Sequence, residues 1–273
     1  MKLSIEDDFN DIVSKAQLGF GYSTEELALK AGLSVSQVRD LRKGVFEEAS
    51  LRQLGEALEL DVEALLTLAG GKLYPEKVEE IDGFSLVPTP FWGNFVNSYV
   101  FWDLDTKEAI AFDTGTDEGP LLELLATKDL KLSTLYLTHT DRDHCGRVRQ
   151  IVESTGCRVW VNALEADAVP LSNALREGYE SSHGSLRIKT IETTGHTAGG
   201  TTYLVEGLSR RVAVVGDAVF PGSMGKVRIS RVDAMAGLER LLSLSGDTVL
   251  ASGHGPLTTV AEERGMNCFF RAI

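Results

Sequence analysis

At 273 residues the chain is long for one domain and suits two domains of unequal size. Hydrophobic residues make up 43% of it and charged residues 25%, which is ordinary for a globular protein and excludes extended disorder. The formal net charge of −13 disfavours nonspecific binding to nucleic acid or to anionic membranes.

The chain shows no pattern typical of export or membrane insertion. It has no run of about eighteen apolar residues, and the opening segment MKLSIEDDFND is acidic and lacks the apolar core of a signal peptide. The three cysteines (Cys145, Cys157 and Cys268) are an odd, scattered set that fits a reducing compartment better than a disulfide framework. We therefore expect a cytoplasmic protein that does not associate with membranes.

Residues 1–71 are predicted to form a small domain of short helices. The segment STEELALKAGLSVSQVRDLRKG places apolar residues close to helical spacing on either side of Gly32. Ser23 followed by Glu26 has the pattern of a capping box, and Ser34 can cap the next helix. A helix, a tight turn at AGLS and a second helix match the helix-turn-helix arrangement.

The stretch 23–68 resembles the DNA-binding domains of the Cro/C1-type family. The resemblance implies that Ser34, Ser36 and Gln37 lie at the base-reading start of the second helix, with Arg39, Arg42 and Lys43 near phosphates. Residues 1–72, however, hold eight Lys or Arg against thirteen Asp or Glu, a balance of −5, whereas DNA-binding domains usually carry a basic surface. Two roles therefore stay open: DNA binding, and a helical bundle used for dimerisation or for packing on the larger domain. A homodimer is compatible with both.

Residues 72–82 are predicted to be a linker, because GGKLYPEKVEE combines glycine, proline and charge. In residues 83–273, strand-like segments such as FSLVPTPF, TLYLTH and RRVAVVGDAVF are interspersed with helical segments such as GPLLELLATKDL. This order predicts sheets covered by helices, an α/β layered domain.

The segment THTDRDHCG (138–146) is dense in metal-type ligands, which are His139, Asp141, Asp143 and His144. Three more ligand-type residues follow predicted strands, namely His196, Asp217 and His254. A rigid sheet can hold ligands in loops at its strand ends while one side of the site stays open. The pattern predicts a metal centre.

Five motifs together resemble those of the metallo-β-lactamase superfamily over most of residues 83–273. They are FDTG (112–115), HTDRDH (139–144), TGHTAGG (194–200), GDAVF (216–220) and SGHG (252–255). The resemblance implies an αββα sandwich, here preceded by the small all-α helix-turn-helix-like domain, with a two-metal site on one edge. The implied first site is His139, Asp141 and His196; the second is Asp143, His144 and His254, with Asp217 bridging both. Asp113 is implied to orient the ligand loops through hydrogen bonds.

Asp141 departs from the family pattern, which has histidine there. We expect two divalent metal ions, zinc first, but a further carboxylate shifts the preference towards iron or manganese. The flavodiiron branch of the superfamily carries glutamate at this position and holds two irons. Aspartate is one methylene shorter, so if Asp141 does not reach the metal, the first site is weakened and a single metal remains.

The resemblance implies a metal-dependent hydrolase, in which a metal-bound hydroxide attacks an ester, thioester, lactone or amide of a small molecule. Asp143 is the candidate for binding metal and also orienting the nucleophile. Lys226 and Arg228, with Arg231, are candidates for contacting an anionic substrate, and a solvated loop is the alternative. The alternative functions are non-haem iron chemistry on oxygen or sulfur coupled to a DNA-binding regulator domain, and a ligand-binding regulator with little turnover.

Two residues near these motifs are interpreted as structural. His183, in ESSHGSL, is predicted to be a surface loop residue. Cys145 follows a ligand directly and is predicted to be a small buried residue at a helix start, with redox sensitivity as the alternative.

Overall fold

The computed structural model describes residues 2–271, in which helices precede the first strand. The five N-terminal helices are α1 (Phe9–Phe20), α2 (Thr24–Ala31), α3 (Val35–Arg42), α4 (Glu48–Ala57) and α5 (Val62–Ala69). The predicted capping box at the start of α2 is confirmed, because Ser23 and Glu26 each accept a hydrogen bond from the other's backbone N–H. Ser34 forms the same kind of box with Gln37 at the start of α3. Local polar side chains therefore set where these helices begin.

The rest of the chain forms a sandwich of two six-stranded sheets. The first sheet has its strands in chain order: β1 (Phe84–Phe91), β2 (Asn94–Trp102), β3 (Glu108–Phe112), β4 (Lys131–Tyr136), β5 (Arg158–Asn162) and β6 (Asn173–Leu175). The second contains β7 (Glu180–His183), β8 (Leu186–Glu192), β9 (Thr201–Glu206), β10 (Val212–Gly216), β11 (Val249–Ser252) and β12 (Thr258–Thr259). Strands β3 to β6 pair in parallel, and so do β10 and β11, whereas the other pairs are antiparallel.

Helices cover both outer faces of the sandwich. They are α6 (Gly119–Thr127), α7 (Arg142–Cys145), α8 (Val148–Thr155), α9 (Arg231–Leu242) and α10 (Val260–Met266), with a 3₁₀ turn at Ala166–Ala168. Aromatic side chains such as Phe112 and Tyr203 fill the core between the sheets. Ile151 of α8 belongs to the core on the first sheet, and Leu238 of α9 to the core on the second. The predicted α/β layered domain is confirmed, although the sequence patterns did not indicate α9, α10 or the short strands β6, β7 and β12.

The helical unit packs directly on the second sheet. Ile12 of α1 and Leu60 share one continuous core with Val215 and Met224 of the sandwich. Polar contacts close the same boundary: the Asp61 N–H donates to the Cys268 carbonyl at 2.7 Å, and Arg231 pairs with Glu59 at 2.8 Å. Packing on the larger domain, one of the two roles left open for the helices, is therefore what the structure shows.

The segment 72–82 contains neither helix nor strand. This segment packs against the rest of the protein: Leu73 and Ile81 are buried, and the Tyr74 hydroxyl donates to the Leu3 carbonyl at 2.7 Å. Among residues 2–271, none of the helices is long and apolar enough to cross a membrane.

Candidate metal centre

The predicted ligands meet because several strands end at one edge of the sandwich. The parallel pairs β3–β4 and β10–β11 bring their carboxyl ends side by side. Asp113 follows β3, the HTDRDH segment follows β4, and Asp217 follows β10 directly. His196 comes after β8 and His254 after β11. The structure therefore brings all seven predicted ligands together.

All four imidazole rings are oriented in the same way, with Nδ1 engaged and Nε2 facing the cluster. The Nδ1 partners are the Thr138 hydroxyl for His139 (2.9 Å), Asp113 for His144 (2.8 Å), the Lys226 carbonyl for His196 (2.8 Å) and the Phe95 carbonyl for His254 (3.0 Å). A carbonyl or carboxylate can only accept, and the Thr138 hydroxyl already donates to Asp113, so Nδ1 carries a proton in all four rings. Nε2 of each ring is thereby the atom presented to the cluster, where it can bind a metal.

The ligand atoms form two groups. In the second-site group, Nε2 of His144 is 3.3 Å from Oδ1 of Asp217, and Nε2 of His254 is 3.4 Å from Oδ2 of Asp143. In the first-site group, Oδ2 of Asp141 is 3.2 Å from Nε2 of His196 and 3.7 Å from Nε2 of His139. Two ligands of one tetrahedral zinc, each about 2.1 Å from it, lie roughly 3.4 Å apart. The spacings fit a metal in either group.

Buried atoms without partners provide an independent test of this fit. Among residues 2–271, Nε2 of His139, Nε2 of His144 and Oδ1 of Asp217 are buried and have no hydrogen-bond partner. Such atoms are destabilising unless something pairs with them, and here all three face the same centre. A side chain on Gly253 would place its Cβ 2.3 Å from Oδ1 of Asp217, so glycine is required beside the cluster. The donor set therefore fits a divalent cation.

The electrostatics of the cluster also favour a cation. Burial opposes ionisation of Asp217, yet the neighbouring His144 and His254 hold its pKa well below the ordinary value. Burial likewise lowers the pKa of His144, but Asp217 and Asp113 outweigh it and raise that pKa well above the ordinary value. The negative charge of Asp217 and the positive charge of His144 stabilise each other. The carboxylates at this edge therefore stay ionised only next to positive charge, which a bound cation would also supply.

Asp113 makes the contacts that the predicted orienting role requires. Its φ of 58° is left-handed, a conformation that aspartate tolerates better than most residues. The carboxylate accepts from the Thr138 N–H and hydroxyl, both at 2.7 Å, and from Nδ1 of His144. It thereby ties the end of β4 to a predicted ligand.

Glu165, which was not among the predicted site residues, joins two of the ligand loops. Its buried carboxylate accepts from the Thr140 N–H (2.7 Å) and hydroxyl (2.8 Å) on one side, and from the Gly199 N–H (2.7 Å) on the other. Glu6, also not predicted, accepts from Asn94 at 2.7 Å and lies 3.9 Å from Nδ1 of His254. No local sequence pattern marks either residue, because both act on loops far away in the chain.

The three predicted substrate-binding cations lie in different surroundings. Arg228 donates to both carboxylate oxygens of Asp141, at 2.9 and 2.7 Å. Arg231 pairs with Glu59 and lies over the ring of Phe20, so it belongs to the boundary between the helical unit and the sandwich. Lys226 has an exposed side chain, while its carbonyl accepts from His196.

The prediction for His183 is wrong. It is buried in β7, where Nε2 is 3.0 Å from the Tyr136 hydroxyl and Nδ1 is 3.0 Å from the Glu108 carboxylate. Neutral and charged partners around the ring make it a satisfied core histidine, away from the metal-type cluster.

Cys145 is only half-buried and is the last residue of α7, not the first of a helix as predicted. Its thiol donates to the Thr140 carbonyl at 3.3 Å, and burial raises its pKa to about 11. A thiol with so high a pKa is a poor nucleophile at neutral pH, which argues against redox sensitivity.

The six residues predicted to contact DNA are all exposed on and around α3; they are Ser34, Ser36, Gln37, Arg39, Arg42 and Lys43. Two of them are already engaged locally, because Gln37 accepts from Ser34 and donates to Ser50 at 3.0 Å. Arg39 lies 3.5 Å from Glu25. DNA contact by these residues stays a prediction.

An apolar hairpin tip lies beside the second-site group. The turn between β1 and β2 carries Trp92, which is 94% exposed, next to Phe91. The Phe91 ring centre is 5.9 Å from that of His254. A large exposed apolar side chain at a polar site is a candidate contact for the apolar part of a ligand.

Comparison with known proteins matches this edge and the sheets behind it. The family model described as the metallo-beta-lactamase superfamily matches residues 92–254, more than half of the chain. Hydroxyacylglutathione hydrolase GloC of Haemophilus influenzae is 26% identical over 200 residues, which cover 64% of this chain and 93% of that protein.

Two solved structures are similar at 25% sequence identity each. The BLEG-1 B3 metallo-beta-lactamase superposes with a TM-score of 0.60, over 69% of this chain and all of that one. The protein TTHA1623, solved in a di-iron-bound form, superposes with a TM-score of 0.56, over 67% of this chain and 99% of that one. The family match begins at residue 92, so the five N-terminal helices lie outside it.

Proposed function

The chain belongs to the metallo-beta-lactamase superfamily, and we propose that it is a metal-dependent hydrolase acting on an ester, thioester, lactone or amide of a small molecule. The observation that carries this is the set of four histidines whose Nδ1 atoms are engaged and whose Nε2 atoms converge on Asp141, Asp143 and Asp217. The similarity to a hydroxyacylglutathione hydrolase supports attack on an acyl carbon.

The bound cation supplies Lewis acidity and lowers the pKa of water towards neutrality. Zinc suits the imidazole-rich donor set. The protein's own contribution is to engage Nδ1 of each ring, so that every Nε2 is already turned towards the position of the metal.

Asp143 is placed to orient the attacking water. Burial opposes its ionisation, but the hydrogen bond to His254 and the charge of His144 keep its pKa below the ordinary value. It is therefore a carboxylate at neutral pH and accepts a hydrogen bond from a water at the cluster. Its side chain is 12% exposed, so a solvent molecule can reach it. Trp92 and Phe91 offer an apolar surface for the acyl part of the substrate.

The test compares two buried histidines. Chelator-treated protein is reloaded with zinc and assayed on chromogenic ester, thioester and lactone substrates. We expect wild-type activity that depends on reloading, loss of it in His254→Ala, and retention in His183→Ala, because His183 is equally buried but lies outside the cluster (5% and 6% exposed). Absence of reloading-dependent hydrolysis on every substrate class would contradict the proposal.

A second candidate is oxygen or sulfur chemistry at non-haem iron. It is favoured by the carboxylate at position 141 and by the similarity to a protein solved in a di-iron-bound form. Purification without added metal distinguishes the two. Colourless protein containing zinc supports the hydrolase, whereas iron with a visible charge-transfer band supports the alternative.

With either function of the metal centre, the helical unit could act in regulation. The exposed start of α3 is free to meet DNA, while α1 and Leu60 pack on the sheet behind Asp217. A DNA-binding regulator that responds to the ligand of the metal centre would use both surfaces, and a homodimer would present two copies of α3.

A further inference from the structure

The guanidinium of Arg228 lies inside the first-site group, not merely beside it. Its Nη2 is 2.9 and 2.7 Å from the two carboxylate oxygens of Asp141 and 3.0 Å from Nε2 of His196. Its Nε donates to the His196 carbonyl at 3.0 Å. One side chain therefore engages two of the three predicted ligands of the first site, and does so through their metal-binding atoms.

A second cation has little room among these atoms. Arginine keeps its charge at every physiological pH, and its planar fork matches a carboxylate better than a point charge does. Asp141 already has both oxygens occupied by Arg228, and its Oδ2 is also 3.2 Å from Nε2 of His196. A divalent metal at the first site would have to displace Arg228 or lie within a few ångströms of its positive charge.

The second-site group has no such internal cation. Within residues 2–271, the ion-pair partners of Asp143 and Asp217 are histidines alone. Nε2 of His144 and Oδ1 of Asp217 are buried there without a hydrogen-bond partner. The first-site group thus contains an arginine cation from the protein itself, whereas the second-site group, of similar composition, contains none.

The residue at position 141 accounts for this difference. An aspartate forms a charged pair with arginine, whereas a neutral histidine in the same place would offer a lone pair to a metal and no charge to Arg228. The departure from the family pattern and the basic side chain 87 residues later in the chain are therefore two parts of one arrangement.

We infer that this protein binds a single divalent cation, held by Asp143, His144, His254 and Asp217, and that the guanidinium of Arg228 takes the place of the first-site cation. The inference rests on the metal-dependent function proposed above. It replaces the sequence-based expectation of two metal ions, and it assigns Arg228 to the site itself, not to a flexible substrate anchor.

Metal stoichiometry tests the inference without an activity assay. Chelator-treated protein is titrated with zinc, and bound metal is counted by native mass spectrometry and elemental analysis. We expect one equivalent in the wild type and a second in Arg228→Gln, which removes the charge. In the double variant Asp141→His/Arg228→Gln, the second equivalent should bind at least about tenfold more tightly than in Arg228→Gln, because a nitrogen ligand is added. Lys226→Gln is the matched control, because it removes a charge from the same loop without touching the cluster, and it should stay at one.

Two further variants locate the cation even if Arg228→Gln does not fold. His139→Ala should still bind one equivalent, whereas His254→Ala should bind none. Two equivalents in the wild type, or loss of the single equivalent in His139→Ala with retention in His254→Ala, would overturn the inference and leave the hydrolase proposal standing. No metal bound to the wild type at all would overturn both.

Discussion

The helical unit and the ligand edge of the sandwich use polar side chains in opposite ways. In the helices, Ser23, Ser34 and Asp61 lie at helix starts and accept from nearby backbone N–H groups. At the sandwich edge, His144 and Asp217 are turned inward, and each keeps a buried atom unpaired within the described chain. The first arrangement stabilises its own element, whereas the second costs stability and is retained where a ligand binds. The helices therefore satisfy their polar groups locally, whereas the sandwich edge leaves polar atoms open towards the predicted metal site.

Among the substitutions considered, His144→Ala is expected to have the largest effect, because His144 belongs to the polar cluster at the sandwich edge. In His144→Ala the buried carboxylate of Asp113 loses its imidazole partner, and the second-site group loses a ligand. We expect metal affinity to fall at least about a hundredfold, and the metal-free protein to lose roughly 3 kcal/mol of unfolding free energy. Zinc titration and urea denaturation measure the two. Unchanged metal affinity would contradict the prediction, because His144 would then be an ordinary core residue.

A second prediction uses a buried carboxyl group of the sandwich. Glu263 of α10 accepts from the Gly222 N–H, Asn267 and Thr258, yet burial raises its pKa to about 7 from an ordinary value of 4.5. Between these values the unfolded chain ionises before the folded one, so stability is full below about pH 4.5 and falls by roughly 3 kcal/mol as the pH rises through 7. Glu263→Gln should remove this loss.

Urea denaturation at several pH values measures the effect, with the exposed Glu239→Gln on α9 as control. The counterpart in the helical unit is Asp11 of α1, whose pKa burial also raises, although its side chain is only half-buried. Equal pH dependence in the wild type and in Glu263→Gln would contradict the prediction.

A smaller effect is expected at a helix start. Ser23→Ala removes the hydroxyl that accepts from the Glu26 N–H at 3.1 Å, and it should destabilise the protein by about 1 kcal/mol. Ser36→Ala changes a serine inside α3 and should be neutral or slightly stabilising, because alanine favours helix. The urea midpoints of the two variants measure this difference, and identical midpoints would show that the cap contributes nothing.

The smallest effect on stability is expected at Arg39. Its pair with Glu25 is exposed on both sides, so Arg39→Ala should change the unfolding free energy by less than about 0.5 kcal/mol. If α3 binds DNA, the same change should weaken DNA retention and reduce its salt dependence by about one phosphate contact. Arg52→Ala on α4 is the control. Equal retention in the wild type and both variants would leave the helical unit with packing as its role.

Some of this structure follows from short stretches of sequence. The start of α2 lies where the pattern Ser23 to Glu26 predicts it, and Gly32, with a φ of 68°, ends that helix at the predicted turn. The order of strands and ligand motifs likewise predicts that His139, Asp217 and His254 gather at strand ends. These features depend on hydrogen bonds and side-chain periodicity within a few residues, which a sequence displays directly.

Other features exist only in the folded chain. Glu165 joins the loops after β4 and β8, Arg228 reaches Asp141 across 87 residues, and Leu60 packs on the second sheet. Each of these depends on how the two sheets close and on which loops then face each other, and no local pattern encodes that. The sequence alone therefore determined most of the elements, and its family motifs predicted the sandwich class and the candidate metal ligands. Tertiary structure alone decided which of those residues are paired with a protein cation, because charges far apart in the chain interact only once folding brings them within a few ångströms.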